Sequence, residues 1–324
     1  MEFRKIGKSD LKASVIGFGT IGISGEYSKT KPNDNKMIKI LKEAQALGIN
    51  LYDTAPAYNL GHAEELLGKA FKRVRSRVLI ATKCGVVVKN GGQRIDLSSK
   101  SIKKEINESL KRLQTDYIDL YQAHWPDPNT PIEETFLTLN ELKKYGKIRY
   151  IGICNYSVSL IEEALKYSEI ISSENLYNIL QRNSDRFFDL NLIYHTENEI
   201  LPFCQKKNLG FFPFNPFFKG LLTGKRLKVE DFEFEGKDAR KNDPELIGEK
   251  LIKNLELVKK LLKFSEKINK PLTQLVINWL IKDKRITSVI AGPMNISEVK
   301  DNVASIHWKL DDELYNEMNN LITK

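Results

Sequence analysis

The sequence predicts an α/β protein built as a closed (β/α)8 TIM barrel, with an N-terminal β-hairpin ahead of it and a long loop after the seventh strand. Two patterns carry the prediction. Short β-branched or apolar runs alternate with amphipathic helical segments, and the alternation repeats eight times within 324 residues. An open doubly wound sheet of that length has nearer six strands, so eight units favour closure into one domain spanning 1–324.

The elements follow in order. Residues 1–14 read as two short alternating pieces around the polar turn KSD, a hairpin closing one end. Then come VIGFGT with a helix over 35–48, INLYDT with 62–74, VLIATK with 98–113, and YIDLYQAH with 131–146. The series continues with KIRYIGICN and 159–168, ENLYNILQ and 192–207, LGFFPF, and finally ITSVIAG with 295–306. Gly48, Gly146 and Gly210 stand where a helix ends in a left-handed residue. Between Pro216 and Gly248, glycines, proline and many charges interrupt the rhythm and read as a binding loop. Helices over 249–269 and 271–282 follow, the second opened by Pro271 and showing Leu272, Leu275, Val276, Trp279 and Leu280 to the barrel.

Composition narrows the function. The formal charge of +9 comes from lysines interleaved with acidic residues, as over 250–270, which reads as a solvated helical surface and argues against nucleic acid. No stretch approaches the roughly 18 apolar residues of a membrane helix. MEFRKIGKSDLK lacks the apolar core of a secretory signal, so a cytoplasmic location is the default expectation. Cys84, Cys154 and Cys204 are odd in number and widely spaced, and read as reduced thiols with no metal site.

Catalytic groups of such barrels project from the C-terminal ends of strands. That rule gathers Asp53, Lys83, His124, Asn155, Gln181 and Phe214 on one rim, with Tyr58 just beyond. Individually each has an ordinary account: an Asp can be a turn cap, a Tyr can be loop packing, a strand-end Lys can be solvated. Together they compose a reaction. A phenol needs help to give up its proton; an ammonium beside Tyr58 supplies it, Asp53 holds Lys83 charged, and His124 orients a carbonyl oxygen. Because no side chain donates hydride, a nicotinamide cofactor is implied, and the reaction class is carbonyl reduction.

The motifs DTAPAY, GHAEELLGKAF, ATKCG, YQAHWPD and GKIRYIGICNYS resemble the aldo-keto reductases along essentially the whole chain. The resemblance implies that Asp53, Tyr58, Lys83 and His124 form a catalytic tetrad, with Tyr58 the acid in reduction and the base in oxidation. It implies that Asn155 and Gln181 bind the nicotinamide carboxamide and that Phe214, where an aromatic is usual, stacks on the ring, with Asn215 replacing a common Ser. Pro216, Lys219, Gly220 and Leu221 resemble a loop over the pyrophosphate, with Lys219 either a phosphate contact or a solvated lysine. Gly292, Asn295, Glu298 and Asn302 match an adenosine-binding turn and helix start. Relatives preferring NADPH place cations where this chain has Met294 and Glu298, so the cofactor is NADP(H) or NAD(H), with Lys300 a candidate partner for a 2′-phosphate.

The substrate mouth, with Ile23, Tyr27, Val86, Trp125 and Phe217, is apolar and aromatic without an obvious cationic clamp, which suits a small aldehyde, ketone or sugar. A second reading is a cofactor-binding regulatory subunit, since the β subunits of voltage-gated potassium channels resemble the same fold and keep the tetrad. A phosphate-binding isomerase barrel leaves the tetrad unexplained.

Overall fold

A computed structural model describes residues 1–27, 32–89, 92–236 and 238–323. Eight parallel strands close a barrel in sequence order: Ile16–Gly19, Leu51–Asp53, Leu79–Cys84, Ile118–Ala123, Ile148–Cys154, Ile170–Leu176, Gly210–Phe214 and Val289–Ala291. The eighth pairs with the first through Val289 opposite Ile16, so no edge is left open. Helices pack outside. Leu272, Leu275, Val276, Trp279 and Leu280 of the helix Leu272–Lys282 are buried, as their spacing predicts.

The barrel interior explains why the catalytic candidates converge. Leu51, Ala81, Leu120, Phe212 and Ile290 form an apolar layer near the N-terminal ends of the strands. The hairpin Phe3–Lys5 and Lys12–Ser14 plugs that layer with Ile6, Leu11 and Ala13. Side chains alternate along a strand, so residues two positions further on point into the same interior one layer higher. Those residues are Asp53, Lys83, Gln122, Phe214 and Gly292.

Several elements differ from the expectation. The sixth strand runs Ile170–Leu176 rather than 174–181. The Asn178 side chain accepts the N–H groups of Leu180 and Gln181 at 3.0 and 2.9 Å, a turn that ends the strand and leaves Gln181 in the loop beyond it. Before the seventh strand the left-handed residue is Asn208, at φ 54°, and not Gly210; Gly48 and Gly146 do have positive φ. Over 192–207 the helix starts only at Thr196, with one π turn before Leu201–Lys207. Two small hairpins, Val86–Lys89 with Gly92–Ile95 and Arg186–Phe187 with Leu190–Asn191, and the C-terminal helix Asp312–Thr323 lie outside the eight βα units; Asn90-Gly91 between the first pair is a hairpin signal in the sequence, and Leu314, Met318 and Leu321 keep a helical spacing.

The long connection after the seventh strand holds short 3-10 turns at Phe218–Thr223, Val229–Phe232, Ala239–Asn242 and Pro244–Leu246. It is tied to the barrel mouth. The Ala239 N–H donates to the Glu26 carbonyl at 3.3 Å, and Arg240 donates to the Tyr27 carbonyl at 3.4 Å.

Candidate active site

Strand three delivers Lys83 into the centre of the barrel, where it is 1% exposed. Its ammonium donates to both Asp53 carboxylate oxygens at 2.6 and 2.7 Å, to the Thr54 carbonyl at 3.1 Å and to the Tyr58 hydroxyl at 3.4 Å. Burial works against the Lys83 charge, but Asp53, Glu174 and Tyr58 outweigh it and hold the amine well above its usual range. The amine is therefore an ammonium at any working pH. Asp53 is itself pushed well up, first by burial and then by the charge of Glu174, with Lys83 pulling it back down.

Tyr58 lies in the turn after strand two, and its ring meets the His124 ring edge-on with centroids 6.3 Å apart. The expectation that Lys83 lowers the pKa of the phenol is only partly met: burial raises it strongly, Lys83 lowers it, and the net direction is upward. Tyr58 therefore carries its proton, the state required of a donor. His124, one residue past strand four, is held well below the usual imidazole range by burial and then by Lys83. It is a neutral ring that presents one N–H and cannot compete as a strong acid.

Sequence reasoning missed Glu174. It is 3% exposed on strand six, its Oε1 lies 3.5 Å from Lys83 Nζ, and its Oε2 accepts from Gln122 at 2.8 Å. A lone charged residue in a strand otherwise uncharged, IISSENL, was the available signal.

Amides gather beside this centre. Asn155, left-handed at φ 61°, donates to the His124 carbonyl at 3.1 Å and accepts from the Tyr194 hydroxyl at 2.7 Å. Gln181 Oε1 accepts from Asn178 at 3.0 Å and from Asn215 at 3.3 Å. Phe214 packs edge-on against Phe187 at 5.1 Å. Pro216 is buried, and the Lys219 N–H donates to Asn215 Oδ1 at 2.7 Å. Phe218, Lys219 and Gly220 are three successive residues with φ between 47° and 100°, and the turn satisfies its own N–H groups: Phe218 donates to the Asn215 carbonyl and Gly220 to the Phe217 carbonyl, both at 3.0 Å. Leu221 is buried beneath it.

Lys219 is neither a free phosphate contact nor a solvated lysine. Its amine is buried, paired with the fully buried Asp243 and placed over the Phe188 ring at 3.5 Å. Just past the eighth strand Gly292 is exposed, and a Cβ there would approach only the Gly19 carbonyl, at 3.5 Å, so the backbone at Gly292 is open to an approaching group. Asn295 caps the helix Ile296–Ala304 by accepting the Glu298 N–H at 2.9 Å, and Asn302 is buried on it. Glu298 accepts the Met294 N–H at 2.8 Å and pairs with Lys225, also at 2.8 Å. The cation beside Glu298 is thus Lys225; Lys300 faces Glu43 at 3.6 Å. At the mouth, Arg240 lies over the Tyr27 ring at 5.2 Å, a cation that no sequence motif places there.

A sequence model of the aldo/keto reductase family matches residues 15–323. The chain belongs to that family. An aldo-keto reductase of Bacillus subtilis (strain 168) is 32% identical, with 99% of this chain and 94% of that protein covered. The NADH-specific methylglyoxal reductase of Escherichia coli (strain K12) is 34% identical, with coverages of 95% and 94%. A solved glycerol dehydrogenase from Gluconobacter oxydans superposes with a TM-score of 0.86 at 29% identity, over 99% of this chain and 95% of that one. This aldo/keto reductase is an NAD(P)-dependent oxidoreductase. The open backbone at Gly292 and the cluster of Asn155, Gln181 and Asn215 amides suit a dinucleotide: room where backbone must approach, and amide groups to pair a carboxamide. Among the described residues no helix is long and apolar enough to cross a membrane, and no cluster of His, Cys, Asp or Glu could hold a metal. The three cysteines are buried free thiols.

Proposed function

We propose that this enzyme reversibly reduces the carbonyl of a small aldehyde, ketone or sugar, with Tyr58 as general acid and base. One observation carries the reading: a buried ammonium lies between the Asp53 carboxylate and the Tyr58 hydroxyl, while the neutral His124 ring faces the same phenol. The bound dinucleotide supplies the hydride. His124 donates a hydrogen bond to the substrate oxygen and orients it. Tyr58 passes its proton to that oxygen as negative charge develops there, and Lys83 stabilises the phenolate left behind. Asp53 keeps Lys83 aimed. In oxidation the phenolate takes the alcohol proton back.

Asn155 and Gln181 are assigned to the nicotinamide carboxamide and Phe214 to its ring face. The backbone from Asn215 through Pro216, Lys219 and Gly220 to Leu221 is assigned to the pyrophosphate. Lys219 shapes that turn through its buried pair with Asp243. Gly292, Asn295, Glu298 and Asn302 are assigned to the adenosine end, where a Glu298 carboxylate favours a ribose diol over a 2′-phosphate unless Lys225 compensates.

Tyr58→Phe is the test. Turnover in an absorbance assay with an aldehyde and sugar panel, including methylglyoxal and glycerol, should fall on the order of 100- to 10,000-fold while cofactor still binds. Near-normal turnover would remove Tyr58 from the mechanism.

A further inference from the structure

Strands two and six stand on opposite walls of the eight-stranded ring, with three strands between them in either direction. Asp53 comes from one wall and Glu174 from the other, and the Lys83 ammonium sits between them. An ammonium has three N–H bonds to give. One side of it is taken by the two Asp53 oxygens at 2.6 and 2.7 Å, and the Thr54 carbonyl takes another at 3.1 Å. That leaves one N–H for two acceptors of nearly equal distance, the Tyr58 hydroxyl at 3.4 Å and Glu174 at 3.5 Å.

We propose that Glu174 is a positioning residue for the reaction: it competes with Tyr58 for the third N–H of Lys83 and places a second carboxylate beside the phenol, holding Tyr58 protonated and favouring the reductive direction. The inference rests on the reading of Tyr58 as acid and base. Every polar contact that Glu174 makes comes from a donor. Gln122 on strand four donates to it at 2.8 Å and the Cys154 thiol on strand five at 3.8 Å, while Phe212 is its strand-seven neighbour and brings no charge. The other titratable groups facing it are Lys83, Asp53, Tyr58 and Tyr194. Cys154 and Tyr194 are both raised by burial and stay neutral. Lys83 is the cation of the set, and Asp53 and Glu174 are the two carboxyl groups that flank it.

The sign follows from Coulomb's law. The Tyr58 hydroxyl and Glu174 both contact the same nitrogen, so they lie within about 7 Å of one another. A negative charge at that range opposes phenolate formation by an amount equal to about one to two pH units at an effective dielectric near 20. Glu174 acts on Tyr58 both by this repulsion and by drawing away an N–H that would stabilise the phenolate.

The experiment is the pH dependence of kcat/KM for alcohol oxidation, which rises as Tyr58 loses its proton, and of its mirror limb in carbonyl reduction. Glu174→Gln should move both midpoints down by about one to two units with cofactor affinity retained. Gln122→Met removes the hydrogen bond that holds the Glu174 carboxyl beside Lys83 and should move them the same way by less; it decides the matter if Glu174→Gln does not fold. Profiles of the folded variants lying within about 0.3 unit of the parent would overturn the inference, since that is well below the shift such a charge imposes. If Tyr58→Phe is inactive and the profiles do not move, Glu174 alone loses its role. If Tyr58→Phe keeps turnover, the acid-base reading falls and this inference falls with it.

Discussion

Replacing Lys83 with methionine removes the cation from the barrel centre while nearly preserving its volume. The consequence can be worked out from the contacts. Two carboxylates, Asp53 and Glu174, would then share a dry interior without their ammonium. Stripping one partner from a buried ion pair costs about 3–5 kcal/mol when the remaining charge stays ionised. A carboxyl can escape that penalty by protonating. Asp53 is already raised above its usual 3.8 by burial and Glu174, and loss of Lys83 removes the first opposing influence. In the variant the folded state therefore binds more protons than the unfolded chain, and its stability declines as pH rises above 3.8. The penalty relative to the parent should be about 1 kcal/mol near pH 5 and grow to about 3–5 kcal/mol near pH 8. Urea unfolding followed by tryptophan fluorescence at the two pH values measures it, and turnover should be lost at both. Equal penalties at pH 5 and pH 8 would refute the electrostatic account and leave only a packing role for Lys83.

Three further outcomes are expected. Glu105, whose oxygens accept the Gly85 N–H at 3.2 Å, is pushed up to about 7 from 4.5 by burial, so the parent should lose about 3 kcal/mol as pH rises from 4.5 to 7. Glu105→Gln should abolish that slope in a plot of Tm against pH; a parallel curve would contradict it. Lys219→Met leaves Asp243 buried and unpaired, which should cost about 3–5 kcal/mol. It should also speed both proteolysis within 225–247 and cofactor release, and unchanged rates would count against the pair as a tether. Glu298→Gln frees Lys225 and should raise the NADPH to NADH ratio of kcat/KM about tenfold, equivalent to one modest charge contact; an unchanged ratio places the 2′ position elsewhere.

Most of the rim was legible because barrel strands obey a simple rule. Asp53 ends its strand, Lys83 lies one residue before the end of its own, and His124 and Asn155 come one residue after theirs. Counting along apolar runs therefore found them. Gln181 broke the rule because Asn178 turns the chain early. The small hairpin at 186–191 escaped notice because its two-residue strands are too short to show a period.

Local order in this chain, including the βα rhythm, the glycine turns at Gly48 and Gly146 and most of the polar residues at strand ends, was determined by the sequence read on its own, since each depends on neighbours a few positions apart. Tertiary structure alone decided which charges meet: Glu174 with Lys83, Asp243 with Lys219, Lys225 with Glu298 and Arg240 with Tyr27. It also decided that burial would outweigh Lys83 in setting the proton affinity of Tyr58. These depend on distances across the closed ring and on exclusion of water from it, and a linear pattern carries neither.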